Sequence, residues 1–158
     1  MSQSLASSDR FVGRVVCAVL LAAMSSALLA KPSCNFTMGA PANFDLYAVF
    51  ATMPNNSGVG SITIDCQGGG GPFKVMLSTG QSNTFSVRTM RSGPNTLHYN
   101  LYTSAARSGV WGDGSGASGV MFASRNTRSN FYIYGQIPAL QDAAVGTYSD
   151  NIIATVDF

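Results

Sequence analysis

The sequence predicts an all-β protein, an antiparallel β-sandwich, and three observations carry that expectation. Apolar residues recur with period two in several short segments beyond residue 60. Clusters of Gly, Pro, Asn and Ser separate those segments. Between residues 31 and 158 no stretch sustains the 3.6-residue apolar spacing of an amphipathic helix.

The first thirty residues stand apart from this pattern. Arg10 and Arg14 form a short basic region, and residues 15–30 are an apolar run closed by the small residues Ser25, Ser26, Ala27 and Ala30. That is the arrangement of a secretory signal peptide, expected to span residues 1–30. The run of sixteen residues falls short of the roughly 20 that a membrane-spanning helix needs. The mature chain, residues 31–158, is therefore expected to be one domain with no membrane span. It carries seven Lys and Arg against six Asp, a net charge of +1. No basic stripe is present, which leaves nucleic acid without an electrostatic footprint.

Removing the leader also removes Cys17. Cys34 and Cys66 remain, an even pair in an exported chain, and are expected to form one disulfide. Closing a loop of that size contributes roughly 3–4 kcal/mol in the chain-entropy description.

The strands follow in order. Ile62, Ile64 and Cys66 alternate with Ser61, Thr63 and Asp65, and the glycines from Gly68 to Gly71 then read as a hairpin connection. Phe73, Val75 and Leu77 alternate with Lys74, Met76 and Ser78. Leu97, Tyr99 and Leu101 alternate with His98, Asn100 and Tyr102. Phe131, Ile133 and Ile137 alternate with Tyr132, Tyr134 and Gln136 before Pro138 stops the run. Shorter candidates lie at 34–38, 86–90 and 120–123. Six to eight short strands, each apolar on one side, suit two sheets that bury one face apiece.

The C-terminal segment is unusual. Tyr148, Ile152, Ala154, Val156 and Phe158 share one parity, with Asn151, Thr155 and Asp157 opposite. Chain ends are ordinarily frayed and polar. An alternating apolar strand at the end of the sequence must be a central strand, or an edge awaiting a partner.

Residues that could carry chemistry are few. His98 is the only histidine and sits on a polar parity, with no nucleophile signature beside it, so no enzyme is expected. No His/Cys cluster suggests a metal, and Asp113 within Gly112-Asp113-Gly114 is one acid where calcium takes six to eight oxygens. Trp111, Tyr132 and Tyr134 are expected to be strand surface and core rather than a binding patch. No cofactor is called for.

The order of segments resembles the spore coat protein U domain family, which includes subunits of archaic, Csu-type chaperone–usher pili. The likeness spans residues 34–158. It begins with Cys34, Phe44-Asp45-Leu46-Tyr47 and Gly60-Ser61-Ile62-Thr63-Ile64-Asp65-Cys66. It continues through Leu97-His98-Tyr99-Asn100-Leu101-Tyr102 and Val110-Trp111-Gly112-Asp113-Gly114. Tyr134-Gly135-Gln136-Ile137-Pro138, Gly146-Thr147-Tyr148-Ser149-Asp150 and the closing Ala154-Thr155-Val156-Asp157-Phe158 complete it.

The resemblance implies an immunoglobulin-like sandwich lacking its last strand. A periplasmic chaperone would lend a strand, and a neighbouring pilus subunit would replace it at an outer-membrane usher. Tyr148, Ile152, Ala154, Val156 and Phe158 would then line the groove that receives it. The implied role is a structural subunit of a fibre or coat, exported through the periplasm to the surface of a Gram-negative cell and serving adhesion or biofilm formation. The family's polymerising subunits carry a donor strand before the first cysteine. Here only residues 28–33 remain after the earlier of two candidate cleavage points, which points to a tip or minor subunit. A soluble, secreted carbohydrate-binding sandwich is the alternative.

Overall fold

The computed structural model describes residues 31, 33–68, 71–125 and 127–157. The expected leader, residues 1–30, lies outside the described residues, as does Phe158. Among the described residues eight strands build two antiparallel sheets: β1 (Ser33–Met38), β2 (Val59–Gln67), β3 (Pro72–Leu77), β4 (Arg88–Ser92), β5 (Asn95–Tyr102), β6 (Met121–Ser124), β7 (Arg128–Gln136) and β8 (Ala154–Asp157). The larger sheet has the order β1-β2-β7-β5-β4, and the smaller β6-β3-β8. Among the described residues the only helical piece is a 3-10 turn, Gly80–Ser82.

The period-two pattern becomes the core directly. Ile62, Ile64 and Cys66 from β2 face Phe73, Val75 and Leu77 from β3 across the sandwich, all sealed from solvent. Leu97, Tyr99 and Leu101 from β5 and Phe131, Ile133 and Ile137 from the β7 segment complete the layer. Trp111 is wholly buried among them; its indole N–H donates to the Val75 carbonyl at 2.9 Å. An unpaired indole donor there would lose its hydration without compensation.

The loops between strands follow the turn signals, with one correction. Gly93 takes φ 57 in the two-residue hairpin joining β4 to β5, where Ser92 pairs with Asn95. The hairpin expected at Gly68 to Gly71 is not there, since β2 belongs to the larger sheet and β3 to the smaller; at the two ends of the connection Gly68 and Gly71 adopt φ 74 and 83. A sharp passage between layers needs that left-handed backbone, which only glycine adopts without strain.

Candidate functional site

The two sheets are unequal, and the site follows from that. Three strands cannot cover the inner face of five. The shortfall lies beside β8, which pairs with β3 through Lys74–Asp157, Val75–Val156, Met76–Thr155 and Leu77–Ala154 and ends the sheet there. Just before β8, the Ser78 N–H donates to the Ile153 carbonyl and the Ile153 N–H to the Ser78 hydroxyl, both at 2.9 Å. Antiparallel ladders alternate. The main-chain groups of Ile152, Ala154 and Val156 therefore face away from β3, toward the free edge. Their side chains pack against the core but stay half-buried.

Beside this edge lies a groove of about 640 Å³. Residues 38–47 form one rim and residues 146–154 the other, over a floor that includes Ile62, Leu77, Leu97, Tyr99 and Ile133. Both rims are held by polar anchors. On the first, Gly39 and Ala40 exchange main-chain hydrogen bonds with Ser61, both at 2.9 Å. The Tyr47 hydroxyl donates to the Pro138 carbonyl at 3.0 Å and accepts from the Gln141 N–H at 2.8 Å. On the second, Ser149 bridges to Arg91 of β4. The Asp150 carboxylate accepts from the Tyr99 hydroxyl at 2.7 Å and the Gln81 N–H at 3.0 Å. Burial, with the hydrogen bond to Asp150, pushes the Tyr99 phenol above its ordinary range, so it stays a donor at every physiological pH.

One end of the second rim is fastened by a buried cation. Arg88 occupies an inward position of β4 with no solvent exposure. Its guanidinium donates twice to the Ser78 carbonyl (3.0 and 2.8 Å), to the Trp111 carbonyl at 2.6 Å and to Asn100 Oδ1 at 2.7 Å. Desolvation lowers its pKa; the electrostatic influence of Tyr99 and Asp150 opposes that. A guanidinium nevertheless stays charged in a protein. Arg88 thereby joins β4, β5, the Trp111 loop and Ser78, the residue that pairs with Ile153.

The residues singled out in the sequence fall as follows. Cys34 faces Cys66 across the β1–β2 ladder and is bonded to it. Tyr148, Ile152 and Ala154 line the groove, and Val156 packs beyond it on the same parity. The regular ladder starts later than the apolar pattern: among the described residues of this segment only 154–157 is strand, because residues 148–153 cross from β4 to β3. His98 is exposed, with Thr89 as its side-chain neighbour at 3.4 Å. Asp113 bonds the Ser115 hydroxyl and N–H at 2.6 and 2.8 Å, a local turn. Trp111 is core, whereas Tyr132 and Tyr134 touch on the outer face of the larger sheet, their ring centroids 6.5 Å apart.

Sequence reasoning missed Arg88, Asn100, Asp150 and Phe44. For Arg88 a signal existed: it shares the parity of Met90. A charge on the inward side of a strand demands a hydrogen-bonded seat. Asp150 gave the same signal, since it shares the apolar parity of Tyr148 and Ile152, whereas Asn100 sits on a polar parity and gave none.

These features define a class: a disulfide-stapled, immunoglobulin-like antiparallel sandwich with a strand-wide opening beside its last strand. The chain belongs to the Spore Coat Protein U domain family, whose family model matches residues 20–155. Protein U of Myxococcus xanthus is 29% identical over 116 residues, a match taking in 64% of this chain and 60% of that protein. Among solved structures, the fold resembles a chain in the crystal structure of the CsuC–CsuE chaperone–tip adhesion subunit pre-assembly complex, from archaic chaperone–usher Csu pili of Acinetobacter baumannii. That likeness has a TM-score of 0.56 at 22% identity, covering 80% of this chain and 40% of the other. The chain thus spans less than two thirds of each relative's length.

Proposed function

We propose that this protein is a non-enzymatic structural subunit of a chaperone–usher surface fibre, completed by a strand donated in trans. The observation that carries the reading is β8: an edge strand whose outward main-chain groups meet no strand among the described residues, set beside an apolar groove. Strand addition meets both needs together. Main-chain hydrogen bonds extend the ladder, and alternate side chains enter the groove. Tyr148, Ile152, Ala154, Val156 and Phe158 make up the receiving edge. A periplasmic chaperone supplies the first strand and a neighbouring subunit its replacement at the outer-membrane usher. Residues 1–30 serve as the export signal, and the product is a fibre at the surface of a Gram-negative cell.

A distal, adhesive position is part of the same proposal. Leu46 and Phe50 are 95% and 91% exposed, and Met53, Leu140 and Val145 are exposed on the same two loops, which Tyr47 ties together. Large apolar side chains left exposed on adjoining loops favour a contact surface. A soluble carbohydrate-binding sandwich would instead need a closed core, against which the open groove counts.

The test is expression to the periplasm with and without the fibre's chaperone. The proposal expects a one-to-one complex with the chaperone and, without it, a much lower recovery of folded protein because the open edge self-associates. Equal recovery of monodisperse protein with and without the chaperone would contradict it. Immunogold labelling once per fibre supports the distal position, and labelling along the whole length refutes it.

A further inference from the structure

We infer that Phe44 is a built-in stand-in for one side chain of the missing strand, standing across the groove at Gly58 and Gly135 and fixing how far a donated strand can reach. This rests on the reading of the groove as a strand acceptor. The ring of Phe44 lies over the inner face of the larger sheet at Gly58 and Gly135. Those glycines are hydrogen-bonded to each other, Gly135 N–H to Gly58 carbonyl at 2.6 Å. A Cβ at either glycine would collide with the ring. The two glycines thus make a notch that no other residue pair would leave open. Gly135 continues the inward parity of Phe131 and Ile133, where every other residue of β7 supplies a side chain to the core. Phe44 supplies it instead, from the rim.

The ring is locked on its other side by Tyr99, edge to face at a centroid distance of 6.1 Å. Its segment is pinned on both flanks: Asn43 bridges to Val59, and the Asp45 N–H donates to the Ser57 hydroxyl at 2.8 Å. A side chain held by this many contacts is not free to swing aside for an occupant. An incoming strand beside β8 would place alternate side chains over Ile62 and Ile133 and then meet Phe44.

Synthetic peptides of alternating Ile and Thr, in odd lengths from about seven to about thirteen residues, measure that reach, since each added residue pair puts one more side chain on the groove side. Binding is read by fluorescence titration and by amide protection at Ile152 and Ala154. In the wild type, affinity should rise with length and then level off. In Phe44→Ala the plateau should move out by about one residue pair. The extra buried Ile should make the longer peptide bind about tenfold or more tighter. Phe44→Leu, still filling the notch, should keep the wild-type plateau. Gly135→Ala, whose Cβ drives the ring into the groove, should shorten it, and this variant carries the test if Phe44→Ala does not fold.

An unchanged plateau in Phe44→Ala and Gly135→Ala, with affinity lowered equally for all lengths, would overturn the inference and leave the acceptor reading intact. No peptide binding to the wild type at any length would remove the acceptor reading, and the inference with it.

Discussion

Strands β2 and β8 carry the same alternation of apolar and polar residues, yet they end in different states. Ile62 and Ile64 of β2 are 0% exposed, while Ala154 and Val156 of β8 stay half-buried. β2 has β1 and β7 on its two sides and a sheet opposite; β8 has β3 on one side and a groove on the other. Alternation therefore specifies which face a strand turns inward. Whether that face is sealed depends on the number of neighbours. In β8 the sequence prepares a face that the described residues leave half-covered.

The sharpest way to probe the contrast is to place the same charge in both strands. Ile64→Asp buries an unpaired carboxylate and should cost more than about 4 kcal/mol, unfolding the domain with or without a partner. Val156→Asp should leave the partner-free protein's secondary structure close to wild type by circular dichroism but abolish chaperone capture. Thr155→Asp, on the outer parity, should do neither. Equal recovery of Val156→Asp and Thr155→Asp with the chaperone would break the contrast.

β1 is the other half-covered edge, since Phe36 and Met38 share the parity of Cys34 yet remain exposed. Unlike β8, it is stapled covalently. Cys34→Ala should therefore lower stability by about 2–5 kcal/mol, read as a shifted urea midpoint.

A smaller loss is expected at Arg88. Arg88→Met keeps the volume but strips the Ser78 and Trp111 carbonyls and Asn100 of their donor, at a cost of about 2–3 kcal/mol in urea. It should also weaken chaperone binding by loosening Ser78, from which the edge at Ile153 hangs. An effect on stability alone would separate the core from the groove.

The smallest effect concerns pH. The Ser115 hydroxyl and N–H hold the Asp113 carboxyl below its ordinary range. A depressed carboxylate stabilises the fold above its unfolded pKa, about 3.9, and that contribution is lost as pH falls through the folded value. Asp113 is exposed, so the change should be local. Compared with Asp113→Asn, the Ser115 amide should show extra protection at neutral pH that disappears under acid.

Much of this was legible in the sequence, because strands write themselves in period two. The inward faces of β2, β3, β5 and β7, the disulfide, and the parity of Tyr148, Ile152, Ala154 and Val156 all follow from alternation or from the pairing of cysteines. What was hidden depends on contacts between distant segments. The glycines after β2 read as a hairpin because a turn signal states that the chain reverses, not which sheet it enters. Phe44 carried no period, since it reaches the core from a connection, and its seat needs Gly58 and Gly135 together. The open flank itself entered through family resemblance; alternation alone left a central strand and an edge equally open.

Hydrogen–deuterium exchange at the main-chain amides of Ile152, Ala154 and Val156 tests the central claim most directly. With the protein isolated, these amides should exchange quickly while those of Ile62 and Ile64 are protected. In complex with the chaperone, or with a strand fused to the chain, all three should become protected while Thr155, already turned toward β3, changes little. Protection of Ile152, Ala154 and Val156 in the isolated protein equal to that in β2, or no gain on complex formation, would contradict the account.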